Sequence, residues 1–273
     1  MHDDVVQLRD FYTTPLGLTA RRILASRIRS RWPDVAGLDV VGLGYAAPFL
    51  RMFLGEARLT ACLMPEEQGV IVWPQEGPCR AALVPETQLP LRDMCADRVL
   101  VVHGLEHVED RHEYLREIWR ILMPQGRLIL VVPNRRGAWA RLETTPFGHG
   151  RPYSPGQLEK LLSKAMFKTM TVTPCLFMPP LRWRVITPAA VAWERIGLAV
   201  WPAFSGVMIV EAVKQVYAGL RQPVRRPAFR PIPAFPGLRP AMNAEPDPCH
   251  RQAATEPLSP LTPASAETPP ARR

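Results

Sequence analysis

Three short stretches hold residue types that could do chemistry. The first is Gly42-Leu-Gly-Tyr-Ala-Ala-Pro48. A glycine turn at the end of a strand lets a ligand approach the backbone where a Cβ would stand in the way. With glycine only at Gly42 and Gly44, the stretch also reads as a tight strand-to-helix turn without a ligand. The second is His103-Gly-Leu-Glu-His107. Its two histidines flank Glu106 four residues apart, but the order is not His-Glu-x-x-His, and Gly104 falls at a strand end. No metal site is expected, and Glu106 with His107 reads as a loop that caps the next helix. The third is the loop Thr144–Ser154, which contains His149, Arg151 and Tyr153. An imidazole there could act as a general base near neutral pH. Tyr153 equally suits a hydrophobic contact just ahead of a helix cap. Arg135, Arg136, Arg141 and Arg151 make the region basic, which suits an anionic substrate or simply solvates a rim.

Elements must position these groups. Leu16, Ala20, Ile23, Leu24 and Ile28 recur at helical spacing over 15–32. Phe11-Tyr-Thr-Thr14 precedes that helix and reads either as a cover over a substrate or as two aromatics packed on the sheet. A strand over 38–43 runs into the first glycine turn, and a helical Phe49–Leu54 follows. Further strands fit 57–63, 80–84 and 97–103. Asp110 with Glu113 predicts a helix start, with Leu115, Ile118, Trp119 and Leu122 on one face. Met123-Pro-Gln-Gly126 stops it, and 127–132 is the plainest strand. Ser154-Pro155-Gly156-Gln157 opens another helix. A strand over 168–173, a helix over 188–200 and a strand over 206–214 complete the series. Alternating strand and helix predicts a mostly parallel sheet with helices on both faces, and the last two strands are expected to be an antiparallel pair. Ligands of such sheets bind at the carboxyl ends of the strands.

The chain has 273 residues with 47% apolar and 22% charged side chains, enough for a core without staples. Five cysteines, none in a CxxC pair, read as reduced thiols of a cytoplasmic protein. The acidic N-terminus is not a signal peptide. The longest apolar run, 197–210, is too short to span a bilayer. Of the 31 prolines, 13 fall in 223–273, and 212–244 has six basic residues and no acid. Much of the net charge of +9 therefore belongs to a Pro/Arg-rich tail, expected to be disordered, with weak nonspecific contact to anions or nucleic acid.

The order Leu89-Pro-Leu91, Ala96-Asp-Arg-Val-Leu100, Gly104-Leu-Glu-His-Val-Glu-Asp110, Leu115–Gly126 and Leu128–Pro133 resembles the class I S-adenosylmethionine-dependent methyltransferases, of the small-molecule type. The resemblance covers roughly 35–215. It implies a Rossmann-like α/β fold with seven strands in the order 3-2-1-4-5-7-6, strand 7 antiparallel. It implies S-adenosylmethionine over Gly42, Gly44, Tyr45 and Ala46, with Met64 against the adenine or ribose. Glu86, Thr87 and Gln88 would lie near the adenine amine, and Val102 and His103 beneath the methionine part. The chain departs from the family at Gly42, where a carboxylate is usual, and at Ala46 and Pro48, where glycines are. An acid about 20 residues after the glycines would bind the ribose, but Leu63-Met64-Pro65 stands there and Glu66 and Glu67 come just after. The reading is methyl transfer to a small molecule, with His149 as candidate base and Tyr12, Arg151 and Tyr153 as candidate substrate contacts; the alternative is an inactive binding or regulatory protein of the same fold. Expected divisions are a helical segment 1–34, an α/β domain 35–218 and a tail 219–273.

Overall fold

The computed structural model describes residues 4–180 and 190–216. The expected tail, 219–273, lies outside the described residues. Two helices come first, α1 (Val5–Thr13) and α2 (Pro15–Arg31). Asp4 caps α1, its carboxylate accepting the Val6 N–H at 2.7 Å. Thr14 both ends α1 and caps α2, accepting the Gly17 N–H at 3.0 Å, with Pro15 at the first helical position. Phe11-Tyr12-Thr13 is thus the last turn of a separate helix that precedes the one expected over 15–32. Val5, Leu8 and Tyr12 recur at helical spacing and all three are buried.

The sheet has seven strands: β1 (Asp39–Gly44), β2 (Leu59–Pro65), β3 (Ala81–Val84), β4 (Ala96–Val102), β5 (Leu122–Pro133), β6 (Phe167–Cys175) and β7 (Val207–Lys214). Their order is β3-β2-β1-β4-β5-β7-β6. The first five pair in parallel, and β7 runs antiparallel to both β5 and β6. This is the order the resemblance implied. Between the strands lie α3 (Ala47–Leu50), α4 (Arg111–Ile121), α5 (Pro155–Lys164) and α6 (Ala190–Val200). The helical stretch after β1 is shorter than Phe49–Leu54 suggested and breaks into a 3-10 turn at Arg51–Phe53.

Strand periodicity divides the core in two. Val40, Leu100, Val102, Ile129 and Val131 face α1, α2 and α3. Val41, Val99, Val101, Leu128 and Leu130 face α4 and α5. Both predicted caps operate. Asp110 accepts the N–H groups of His112 and Glu113, and Ser154 with Gln157 forms a reciprocal capping box. α6 differs: its acid Glu194 is turned inward, accepting the Phe177 N–H at 2.7 Å, while Trp193, Ile196 and Leu198 are exposed. Among the described residues no helix is long and apolar enough to cross a membrane.

Candidate functional site

The carboxyl ends of β1 and β4 meet beneath α1. Gly44 lies opposite Val102 in the sheet and has φ +69°. A Cβ there would run into the backbone carbonyls of Val102 and His103. Gly44 is therefore required by the approach of β4 and by its own left-handed backbone, where the sequence had suggested the approach of a ligand. Gly42 is likewise occupied from within: a Cβ would meet Leu50 Cδ1 at 2.5 Å and the Ala46 Cβ at 2.7 Å. Tyr45, Ala46, Met64 and Val102 are all buried.

His103 is fully buried at the end of β4, with φ +50°. Its Nε2 lies 2.8 Å from the Tyr12 hydroxyl. Its Nδ1 lies 3.4 Å from Glu106 Oε1, three residues on and itself buried. The Phe147 ring is 4.6 Å away. Tyr12 stacks on Tyr45 with ring centroids 5.7 Å apart. Gln68, just beyond β2, donates from Nε2 to the His103 carbonyl at 3.0 Å, and its own carbonyl accepts the Val5 N–H at 2.8 Å. The loop after β2 thus ties the start of α1 to the end of β4. Several buried polar atoms in this cluster are not satisfied by a well-formed hydrogen bond: Gln68 Oε1, both Glu106 oxygens and the Tyr114 hydroxyl, the long His103 Nδ1–Glu106 Oε1 contact apart. Buried polar groups are rarely left so, and such a set marks a place for water or a ligand.

Electrostatics sharpen the roles. Burial works to raise the Glu106 carboxyl, but contact with His103 and the nearby His107 outweighs it and holds the group below the usual carboxylate range. Burial pushes the Tyr12 phenol well above its ordinary value, so it stays neutral. Burial also raises Glu86, aided by Glu67 and Glu109, to about 7. Glu86, Thr87 and Gln88 form the loop just after β3, the first two half-buried and Gln88 exposed.

The remaining candidates fall elsewhere. His149 follows a 3-10 turn (Pro146–Gly148) and lines a cavity of about 400 Å³ with Asp10, Phe11 and Thr145 on the outer side of α1. Arg151 and Tyr153 line a different groove, of about 770 Å³, beside α4 and α5. The Arg151 N–H is held by the Glu106 carbonyl at 2.8 Å, and the Tyr153 hydroxyl donates to the Leu105 carbonyl at 3.1 Å. Tyr12, Arg151 and Tyr153 therefore do not share one cavity. Glu66 and Glu67 are exposed. Sequence reasoning missed Gln68 and Phe147, and it read Glu106 only as a loop residue. The i, i+3 spacing of His103 and Glu106 was the one available signal. Among the described residues no three His, Cys, Asp or Glu side chains converge as a metal site.

Residues 40–130 match a family model described as a methyltransferase domain. An S-adenosylmethionine-dependent methyltransferase from Thermotoga maritima superposes with a TM-score of 0.53 at 17% identity, over 77% of this chain and 96% of that one. One from Archaeoglobus fulgidus gives 0.52 at 17% identity, over 71% and 94%. A Haloferax volcanii methyltransferase, solved with the Trm112 methyltransferase activator, gives 0.52 at 18% identity, over 69% and 88%. No curated protein matches the chain by sequence. The fold is that of the class I S-adenosylmethionine-dependent methyltransferases, and 40–130 is the part that matches the methyltransferase-domain model. Methyl transfer is the chemistry, and S-adenosylmethionine the cofactor, that this similarity sets to be tested against the site.

Proposed function

We propose that the chain transfers the methyl group of S-adenosylmethionine to a small molecule, and that α1 covers the cofactor cleft in the form described. The observation that carries this is the set of buried, incompletely satisfied polar atoms on Gln68 and Glu106 beside His103, at the strand ends where the fold family holds its cofactor. These atoms suit the cofactor in kind. The Glu106 carboxylate would accept from an ammonium group and Gln68 Oε1 from a ribose hydroxyl, with Met64, Val102 and the Glu86–Gln88 loop around them. Space is made by movement of Tyr12 and the Gln68 side chain, each hydrogen-bonded to His103, with Tyr12 also leaving its stack on Tyr45. When bound, the cofactor would supply an electrophilic methyl carbon on a sulfonium, with the neutral thioether of S-adenosylhomocysteine as the leaving group.

The chain's own residues bind, exclude water and handle a proton. His103 Nε2, once released from the Tyr12 hydroxyl, accepts a proton from the acceptor. Glu106 on the far side of the ring holds the proton on Nδ1 and so fixes the tautomer. Phe147 and Tyr12 keep the region dry. His149, near the outer side of α1, is the rival base. The four described cysteines Cys62, Cys79, Cys95 and Cys175 are free, in keeping with a cytoplasmic setting.

The test is a screen of methyl acceptors in metabolite extract with labelled cofactor, followed by variants on any hit. His103→Ala should lower turnover by about 10²–10⁴ and leave S-adenosylhomocysteine binding in place. A His103→Ala protein that stays fully active while His149→Ala is inactive would give the base role to His149. The second reading, an inactive binding or regulatory protein, is favoured by one observation: the Tyr12 ring and the Gln68 side chain lie across the strand ends, and Leu50 packs where a Gly42 side chain would be.

A further inference from the structure

On the other side of Tyr45 from the His103 cluster is a cavity of about 440 Å³, within the ordinary size range of small-molecule sites. Its walls come from α1, α2, the first turn after β1 and the loop between β2 and β3. Four guanidinium groups line it: Arg9, Arg21, Arg51 and Arg80. Arg9 is paired with Asp10 at 3.2 Å. Arg21, Arg51 and Arg80 form no ion pair among the described residues. The one lining carboxylate, Glu76, is exposed. Leu54, Ile71 and Val72 supply an apolar side, and the edges of Tyr45 and Trp73 contribute rings.

The walls are fixed before any ligand arrives. The Arg80 N–H donates to the Trp73 carbonyl at 2.7 Å, and the Arg80 carbonyl accepts the Cys62 N–H of β2 at 2.9 Å. Trp73 is buried in the core. Tyr45 is buried at 2% exposure at the end of β1, its N–H donating to the Val102 carbonyl at 2.7 Å. Burial pushes the Tyr45 phenol up to about 12, against the pull of Arg9 and Arg21, so the floor carries no negative charge that would neutralise the arginines.

Guanidinium forks match phosphate oxygens in shape and charge. Three unpaired cations lining one cavity beside an apolar wall select a molecule with an anionic end and an uncharged body. They also repel a sulfonium cofactor, which is positive at its reacting end. We propose that this cavity binds an organic phosphate of nucleotide size, its phosphates on Arg21, Arg51 and Arg80 and its body against Ile71 and Val72. This site is separate from the cofactor cleft and does not depend on methyl transfer.

Uridine diphosphate is the probe, chosen because it shares no base with S-adenosylmethionine. Calorimetric titration of the full chain near physiological salt should give micromolar binding. Uridine and inorganic pyrophosphate should each bind at least about tenfold more weakly, since each lacks one half of the match. Arg51→Ala and Arg80→Ala should each weaken uridine diphosphate about tenfold or more. Arg51 is exposed, so its variant keeps the fold; if Arg80→Ala lowers the thermal midpoint, Arg51→Ala and Arg21→Ala decide. S-adenosylhomocysteine should not displace the probe. Absence of uridine diphosphate binding overturns the site. So does pyrophosphate binding as tight as the nucleotide, which reduces it to surface charge. Unchanged affinity in the arginine variants, or displacement by S-adenosylhomocysteine, overturns it as well.

Discussion

Gly44 and Tyr12 face each other across the question of what the strand ends are for. Replacing Gly44 by valine puts a branched side chain at φ +69° against the β4 carbonyls. The strain and overlap should cost at least about 3 kcal/mol, so the variant should be poorly folded, not merely deficient in cofactor. Chemical denaturation checks this, and a Gly44→Val protein with wild-type stability would mean that β4 does not pack there. Tyr12→Phe keeps the stacked ring and removes the hydroxyl that satisfies His103 Nε2. It should lower stability by about 1–3 kcal/mol. Glu86 gives a pH signature. The folded chain keeps this proton up to about pH 7, whereas the unfolded chain releases it near the ordinary 4.5. Its favourable contribution is therefore full below about pH 4.5 and is lost as pH rises to 7. The group is about half exposed, and solvent screening leaves an effect of about 1 kcal/mol. Glu86→Gln should thus gain thermal stability over the wild type at pH 8 and not at pH 4. Equal differences at both values would assign the effect to packing.

At the scale of elements, α1 is the part that decides whether the cleft is closed. It is held by the Val5–Gln68 backbone bond, the Tyr12–His103 bond and the burial of Val5, Leu8 and Tyr12. If ligand entry moves Tyr12, saturating S-adenosylhomocysteine should speed hydrogen exchange at the amides of Val5–Thr13 while slowing it around Gln68 and His103. Unaltered exchange in α1 with the ligand bound would show that α1 is a fixed wall. The pattern that builds α1 was present in the residues, with Asp4 as cap and Val5, Leu8 and Tyr12 on one face. Nine residues are only a few apolar positions, and an acidic start masked them. α4 and α5 were legible because their caps announce themselves: Asp110 before Glu113, and Ser154-Pro155 before Gln157. The short α3 was not. Pro48 starts it and the packing of Leu50 and Phe53 bends it into a 3-10 turn, which periodicity alone does not reveal.

Across the whole molecule, strand order followed from alternation and from the motif order between Leu89 and Pro133, because each strand's burial is written in its own residues. The site was only half legible. His103 and Glu106 are three apart, so their meeting is local. Tyr12 and His103 are 91 residues apart, and Gln68 and His103 are 35 apart; no spacing rule joins them, only the folded sheet does. The separation of Arg151 and Tyr153 from Tyr12 was hidden for the same reason, since two loops at one end of a sheet can open to opposite faces. Among the described residues the core runs from Val5 to Ala212, and 222–273 has the proline-rich, weakly apolar composition of a chain that builds no core. Removal of 222–273 should therefore leave the thermal midpoint unchanged, and a marked fall would mean that the tail contributes to the core. The central claim is that a cofactor cleft lies beneath α1, and calorimetric titration with S-adenosylhomocysteine, run in parallel on the wild-type chain and on Tyr12→Ala, tests it most directly. Binding to the wild type, tightened in Tyr12→Ala because the closing contact is gone, is the predicted result; absence of binding in both folded proteins would contradict it.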